Sequence, residues 1–163
     1  MTKLKIFFLF LIPIVILLLA VLFFQLQTGS VSAYFKDVSF DIYVPRGIAD
    51  KYTDLLTFSI DEHKIWEYKL NSDESREIQK DLDNKIWNKL SDEAITEIQY
   101  FFTLNSDSYL PDNVSDSLHY CIYDFSLKRF IGIEENAAIL GWHRALFVYD
   151  KENSRYYCVS MSV

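Results

Sequence analysis

Apolar residues occur in this chain as one continuous run near the N-terminus, followed by many short alternating stretches. The run covers residues 6–24, nineteen positions without a charged or polar side chain. As an α-helix it would be roughly 28 Å long, close to the ~30 Å hydrocarbon core of a bilayer. The pattern therefore predicts a transmembrane helix, a signal-anchor, over 6–24.

The charges beside the run predict its orientation. Lys3 and Lys5 precede it, and the first acidic residue is Asp37. Because basic residues stay on the cytoplasmic side of a membrane helix, we expect residues 1–5 in the cytoplasm and residues 34–163 outside it. The predicted localisation is the cell membrane, with a single pass.

A cleaved signal peptide is the alternative explanation of the run. The small residues before and at Ala33 would suit a signal peptidase, and the protein would then be exported. The apolar run is longer than the usual core of a signal peptide, which favours a retained anchor. In that case residues 25–33 form a short polar tether.

Alternating stretches after the tether predict β-strands. Apolar and polar side chains alternate over residues 36–44, which is typical of a half-buried strand. Residues 55–60 and 65–70 predict a second and a third strand, and the four polar residues 61–64 between them suit a hairpin loop.

Helical patterning starts at Asn71. Asn71 can cap a helix, with Glu74 three residues on as its capping-box partner. Apolar residues then recur every fourth position over 78–90, as on one stripe of a helix. Ser91 and the acids after it predict a second helix start, whereas residues 98–104 could form either a helix or a strand.

A short sequence pattern that occurs twice predicts two β-hairpins of similar build. Asp124 and Arg129 are separated by four residues at the end of one apolar stretch, and Asp150 and Arg155 by four residues at the end of another. In each hairpin the aspartate and the arginine should face each other across the loop. The chain is therefore predicted to be α+β, with a mostly antiparallel sheet of six to eight strands and one or two helices packed on one face.

The net charge of the chain indicates which classes of partner it can bind. The chain has 16 Lys+Arg and 23 Asp+Glu. Without Lys3 and Lys5, residues 34–163 hold 14 bases against 23 acids, a net charge of −9. Such a surface disfavours nucleic acid and anionic lipid and accommodates a basic protein partner.

Two cysteines, Cys121 and Cys158, could form one disulfide outside the cytoplasm, or could be two buried thiols. His119 and Cys121 lie two apart on a predicted strand, so they share a face. A cysteine beside a histidine can act as a nucleophile, and these two residues are the weak catalytic candidates of the sequence.

Candidate binding residues come from a polar loop and from one aromatic position. Asp107, Asp112 and Asp116 lie in the longest loop and could form an acidic docking face. Trp142, if exposed, is a contact candidate with Arg144 beside it. The three histidines lack the spacing of a zinc site, the acidic loop lacks the EF-hand pattern, and a chain with four glycines has no phosphate-binding loop. We therefore expect no metal and no cofactor.

These observations together predict a membrane-anchored, extracytoplasmic binding module that contacts a protein at the cell envelope, of the inhibitor or immunity type. One alternative is an envelope hydrolase that uses the His119–Cys121 pair. Another is a structural subunit of a membrane complex, in which the helix over 6–24 makes contacts itself.

Overall fold

The computed structural model describes residues 3–56, 62–104, 107–108, 117–138 and 143–162. Most of these residues belong to one twisted antiparallel sheet with helices on both of its faces.

The helices are α1 (Lys3–Thr28), α2 (Val31–Tyr34), α3 (Ser72–Asp81), α4 (Asp92–Phe102) and α5 (Ile133–Ala138). The strands are β1 (Lys51–Leu56), β2 (Glu62–Lys69), β3 (Asn88–Lys89), β4 (Thr103–Leu104), β5 (Asp107–Ser108), β6 (Leu118–Asp124), β7 (Arg129–Ile131), β8 (His143–Asp150) and β9 (Arg155–Ser162).

The main sheet of the described residues has seven strands. Six of them follow the order β1-β2-β9-β8-β6-β3, and β7 pairs with β6 beside β3. All these pairings are antiparallel, and β4 and β5 form a separate small ladder. The predicted α+β class with a mostly antiparallel sheet is confirmed.

The first hairpin is present, but its strands begin at earlier residues than predicted. Strands β1 and β2 pair antiparallel. β1 begins four residues before the predicted start at 55. Three of the four residues predicted as the loop at 61–64 belong to β2 instead, because His63 turns inward and is buried between the sheet and α4.

The two similar hairpins are confirmed. Asp124 pairs with Arg129 between β6 and β7, and Asp150 pairs with Arg155 between β8 and β9. In both loops the last residue has a left-handed backbone, with φ of 54° at Lys128 and 50° at the equivalent serine. The echo in the sequence therefore reflects a shared loop geometry.

Both faces of the sheet are covered, which corrects the prediction that the helices pack on one face. Phe147 of β8 packs in the same cluster as Ile78 of α3, whereas its neighbour Leu146 packs in the cluster that contains Ile98 of α4. Successive side chains of a strand point to opposite faces, so α3 and α4 lie on opposite sides. Every residue of β8 after its first is buried, which requires cover on both sides.

The predicted capping box starts α3. The Asn71 side chain accepts hydrogen bonds from the backbone N–H groups of Asp73 and Glu74 at 2.9 and 3.0 Å, and Glu74 Oε2 accepts one from the Asn71 N–H at 3.0 Å. The helix ends at Asp81, so the apolar repeat over 78–90 does not form one helix. Leu82, the C-cap residue, still packs on the sheet.

The second helix start is also confirmed. Ser91 Oγ accepts a hydrogen bond from the Ala94 N–H at 3.3 Å, and α4 begins at the next residue. Residues 98–104, for which the sequence left helix and strand open, form both: α4 continues to Phe102, and β4 follows directly.

The strand predicted over residues 36–44 is wrong. This segment is an irregular stretch that lies across the face of the sheet that carries α3. Its alternation is real, since Val38, Phe40, Ile42 and Val44 all pack on the core, while the residues between them are exposed or half-buried. The segment lies over the sheet rather than beside a strand, so its backbone joins no ladder.

The membrane anchor is the largest correction. α1 is a 26-residue helix, and its side chains are described for residues 11–23, a stretch of about 20 Å at 1.5 Å per residue. Among the helices of the described part, none is both apolar enough and long enough to cross a bilayer. This finding contradicts the transmembrane helix predicted over 6–24, and with it the single-pass localisation.

Candidate functional site

The segment over residues 32–46, which comprises most of α2 and the irregular stretch after it, is closed at its base like an Ω-loop. The Ala49 N–H donates to Gly29 O at 2.7 Å, and the hydroxyl groups of Ser30 and Ser32 each donate to Arg46 O at 3.5 Å. The two ends of the segment are therefore neighbours. Compact surface loops of this length with adjacent ends are frequently functional, and we refer to residues 32–46 as the Ω-loop.

Side chains of the sheet and of α3 hold the backbone of the Ω-loop and of Val31, the residue before it. Tyr68 Oη accepts from the Val31 N–H at 2.8 Å, and Tyr156 Oη donates to Tyr43 O at 3.0 Å. The Tyr43 N–H also donates to Oδ2 of Asp81. Burial raises the pKa of Tyr68 to about 12 and the pKa of Tyr156 far above its ordinary value. Both phenols therefore stay neutral at physiological pH, and these hydrogen bonds persist.

An aromatic cluster anchors the middle of the Ω-loop. The Phe40 ring lies 5.0 Å from the rings of both Tyr123 and Phe147, and 5.6 Å from the ring of Phe35, in edge-to-face arrangements. Such pairs add roughly 0.5–1.5 kcal/mol each beyond the area that they bury. The loop is therefore an ordered surface, although its backbone is irregular.

Two open depressions flank Phe40 and Ile42. The first, of about 240 Å³, is lined by apolar side chains that include Val38 and Val44, and by two cations, Lys36 and Arg46. We call it the basic depression. It has no carboxylate in its lining, although the domain around it carries a net charge of −9.

The second depression, of about 250 Å³, has the opposite charge. Phe40, Ile42 and Tyr43 line it from the Ω-loop, together with Asp41, and Glu77 and Asp81 line it from α3. We call it the acidic depression. Asp41 is exposed, whereas Glu77 pairs with Lys80 one helical turn away, at 2.5 Å.

The His119–Cys121 pair lies where the sequence placed it, on one face of β6. Cys121 belongs to the core cluster and is 1% exposed, and burial raises the pKa of its thiol well above the ordinary value. Burial lowers the pKa of His119, whose Nδ1 donates to Ser117 O at 3.2 Å. Only a thiolate is an effective nucleophile, so this geometry offers no activated cysteine. The catalytic role remains an untested prediction.

Cys121 and Cys158 are both free and buried. Each is paired in register with Phe147 of β8, one from either side, so two strand spacings separate them. Two spacings of about 4.8 Å put their Cα atoms nearly 10 Å apart, beyond the ~7 Å that a disulfide can bridge. The structure therefore has two thiols in place of the disulfide that the sequence left open.

The candidate binding residues do not come together in the described part of the chain. Asp112, Asp116 and Trp142 lie outside the described residues, and Asp107 is described only as part of the backbone of β5. Arg144 is completely buried, and its Nε donates to Oδ2 of Asp124 at 3.1 Å. As a core ion pair, Arg144 is not available on the surface as a contact residue.

The described residues contain no group of three or more His, Cys, Asp or Glu side chains that could hold a metal ion. The sequence analysis missed Lys36, Arg46 and Asp41, because the alternation over 36–44 was interpreted as a strand. One signal could have corrected it: this predicted strand has no partner joined to it by a short hairpin turn, whereas each later strand does.

No protein-family model matches this chain, and comparisons with curated proteins and with solved structures find no significant match.

Proposed function

We propose that this protein is a binding module for a protein partner, and that the Ω-loop and the neighbouring face of α3 form the contact surface. The proposal is carried by the acidic depression, where three apolar or aromatic side chains of an ordered loop meet three carboxylates. A basic side chain of the partner, Lys or Arg, would enter this depression.

The position of the surface on the fold supports the proposal. Binding residues are disproportionately found on loops that a rigid scaffold holds in place. Here the loop is held by hydrogen bonds from Tyr156 and to Asp81, and by the packing of Phe40. Little ordering entropy would therefore be lost on binding, which favours affinity.

The chemistry of the depression supports a basic partner. A guanidinium group can stack its face on an aromatic ring and, at the same time, donate hydrogen bonds from its edge to neighbouring carboxylates. The net charge of −9 over residues 34–163 would also attract a basic protein and speed its association.

The test is a capture experiment with matched variants. The full chain is immobilised and exposed to proteins of the source cell at two salt concentrations. Asp41→Asn combined with Glu77→Gln removes two charges from the acidic depression. Asp83→Asn combined with Glu152→Gln removes two exposed charges that do not line it.

We expect one protein to be retained by the wild type and by the control variant, and to be lost by the depression variant and at high salt. Retention that is equal for all three forms would refute the proposed surface. Asp81 is left unchanged, because it holds the backbone of Tyr43 and its loss would disturb the loop itself.

A further inference from the structure

The basic depression is a second feature of the Ω-loop, and the basic side chain of the proposed partner enters the acidic depression rather than this one. Native interiors and surfaces are well packed, and voids much larger than a water molecule are few. At about 240 Å³, this depression has room for roughly eight waters at the ~30 Å³ that each occupies in the liquid. Its lining combines five apolar side chains with the polar side chains of Ser32, Ser39, Lys36 and Arg46.

Its charge is the opposite of the charge of the domain. Lys36 and Arg46 are both exposed and both line the depression. Neither forms an ion pair with a carboxylate within the part of the chain that the structure describes. In a domain with 23 acids, two cations at a depression that no carboxylate of the described residues lines favour an anion.

The cations lie near opposite ends of the Ω-loop in sequence, and folding brings both to one depression. The loop closure at Arg46 O, which accepts from Ser30 and Ser32, fixes the backbone that carries the Arg46 side chain. A guanidinium group matches a carboxylate with two parallel hydrogen bonds. The hydroxyl group of Ser39 also lines the depression and can donate to an anion.

We propose that the basic depression binds a small monocarboxylate with an apolar body. The carboxylate would lie at Arg46 and Lys36, and the apolar body would lie against Val38, Phe40 and Val44. The site is the concave side of the Ω-loop, and its ligand is a free organic acid.

The experiment measures binding of 3-phenylpropionate to the full chain, labelled with ¹³C in the methyl groups of valine and isoleucine. A ligand of this size should bind with a low-millimolar Kd. The methyl signals of Val38, Ile42 and Val44 should shift and saturate together. The uncharged 3-phenylpropan-1-ol should bind several-fold more weakly, and the cation 3-phenylpropylamine more weakly still.

Variants distinguish recognition of the carboxylate at the basic depression from apolar binding of the ligand elsewhere on the protein, for example to the exposed side chains of α1. Arg46→Gln should weaken binding of the acid by about two- to fivefold, as expected for the loss of a partly exposed ion pair. Lys85→Gln removes an exposed charge outside the lining and should change the Kd less than twofold. Ser39→Trp, which fills the depression without changing its charge, should abolish binding.

Equal affinity for the acid and the alcohol, or an unchanged Kd in Arg46→Gln, would overturn the proposal, and so would shifts confined to other methyl groups. Should Arg46→Gln fail to fold, Lys36→Gln provides the same test at the other cation. The Asp41→Asn, Glu77→Gln variant should keep the affinity for 3-phenylpropionate, so failure of the protein contact and failure of this site are distinguishable.

Discussion

Replacement of Asp124 by alanine should destabilise the protein more than the same replacement of Asp150. The two aspartates close loops of the same build. Oδ1 of Asp124 accepts hydrogen bonds from the second and third N–H groups after it, both at 2.9 Å, and Oδ1 of Asp150 does the same at 3.1 and 3.0 Å. The two differ at Oδ2: Arg144 Nε donates to Asp124 Oδ2 at 3.1 Å in the core, whereas the partner of Asp150 Oδ2 is the neutral amide of the exposed Asn153, at 2.8 Å.

The magnitude follows from this difference. Loss of the loop hydrogen bonds should cost about 1–2 kcal/mol of unfolding free energy in either variant, as for the loss of a helix cap. Asp124→Ala also leaves the guanidinium group of Arg144, which is 0% exposed, without its ion-pair partner. Breaking a buried pair in this way typically costs 3–5 kcal/mol. We expect about 1–2 kcal/mol for Asp150→Ala and at least about 4 kcal/mol for Asp124→Ala.

Urea unfolding of the full chain, followed by tryptophan fluorescence, measures both values. In the double variant Asp124→Ala, Arg144→Met both charges of this buried pair are removed, so part of the lost stability should return. Equal unfolding free energies for the two alanine variants, within about 0.5 kcal/mol, would refute the assignment of a costly buried ion pair.

The pH dependence gives a second measurement of the same pair. Burial alone would raise the pKa of Asp124, but hydrogen bonds from the Leu127 and Ser126 N–H groups and from Arg144 outweigh it, and the pKa lies below its ordinary value of 3.8. A lowered pKa in the folded state gives stability that is present above pH ~4 and is lost as the pH falls further. The unfolding free energy of Asp124→Asn should therefore fall less steeply below pH 4 than that of the wild type.

Three further predictions follow from local geometry. Asn71→Ala removes the acceptor of two helix N-terminal hydrogen bonds and should cost about 1 kcal/mol in urea unfolding, whereas Asn71→Asp should be nearly neutral. Cys121 and Cys158 should resist a thiol reagent in the native protein and react only in denaturant, because both thiols are buried with raised pKa values; fast labelling of the native protein would contradict this. Lys128→Gly should stabilise the protein by about 0.5–1 kcal/mol, since φ is 54° there, while Lys151→Gly in the sister loop, where φ is not positive, should destabilise it.

The elements that the sequence predicted correctly are those stabilised by contacts between residues close together in the sequence. The capping box at Asn71 and the helix start at Ser91 depend on residues three positions apart, and both are present. The two similar hairpins were also predictable, because Asp124 and Asp150 bind N–H groups within their own loops. In each case the partners are close in sequence, so a single chain suffices to identify them.

The elements that depend on distant partners could not be predicted. Alternation over 36–44 shows only that every second side chain is buried, and a segment that lies over a sheet satisfies it as well as a strand within one. The hydrogen bond of Tyr68 to Val31, just before the Ω-loop, spans 37 residues, and that of Tyr156 to Tyr43 within the loop spans 113. The candidate site depends on those contacts, and therefore Arg46 and Lys36 could not be placed together from the sequence.

The strand order has a consequence for synthesis of the chain. β9 lies between β2 and β8, so it is an inner strand that joins the β1–β2 hairpin to the rest of the main sheet. When β2 leaves the ribosome, the strand that will cover its inner edge is still about ninety residues away, which is several seconds at 5–20 residues per second. Until then, the hairpin of β1 and β2 can join no other described strand of the main sheet. Completion of the main sheet therefore waits for the synthesis of β9.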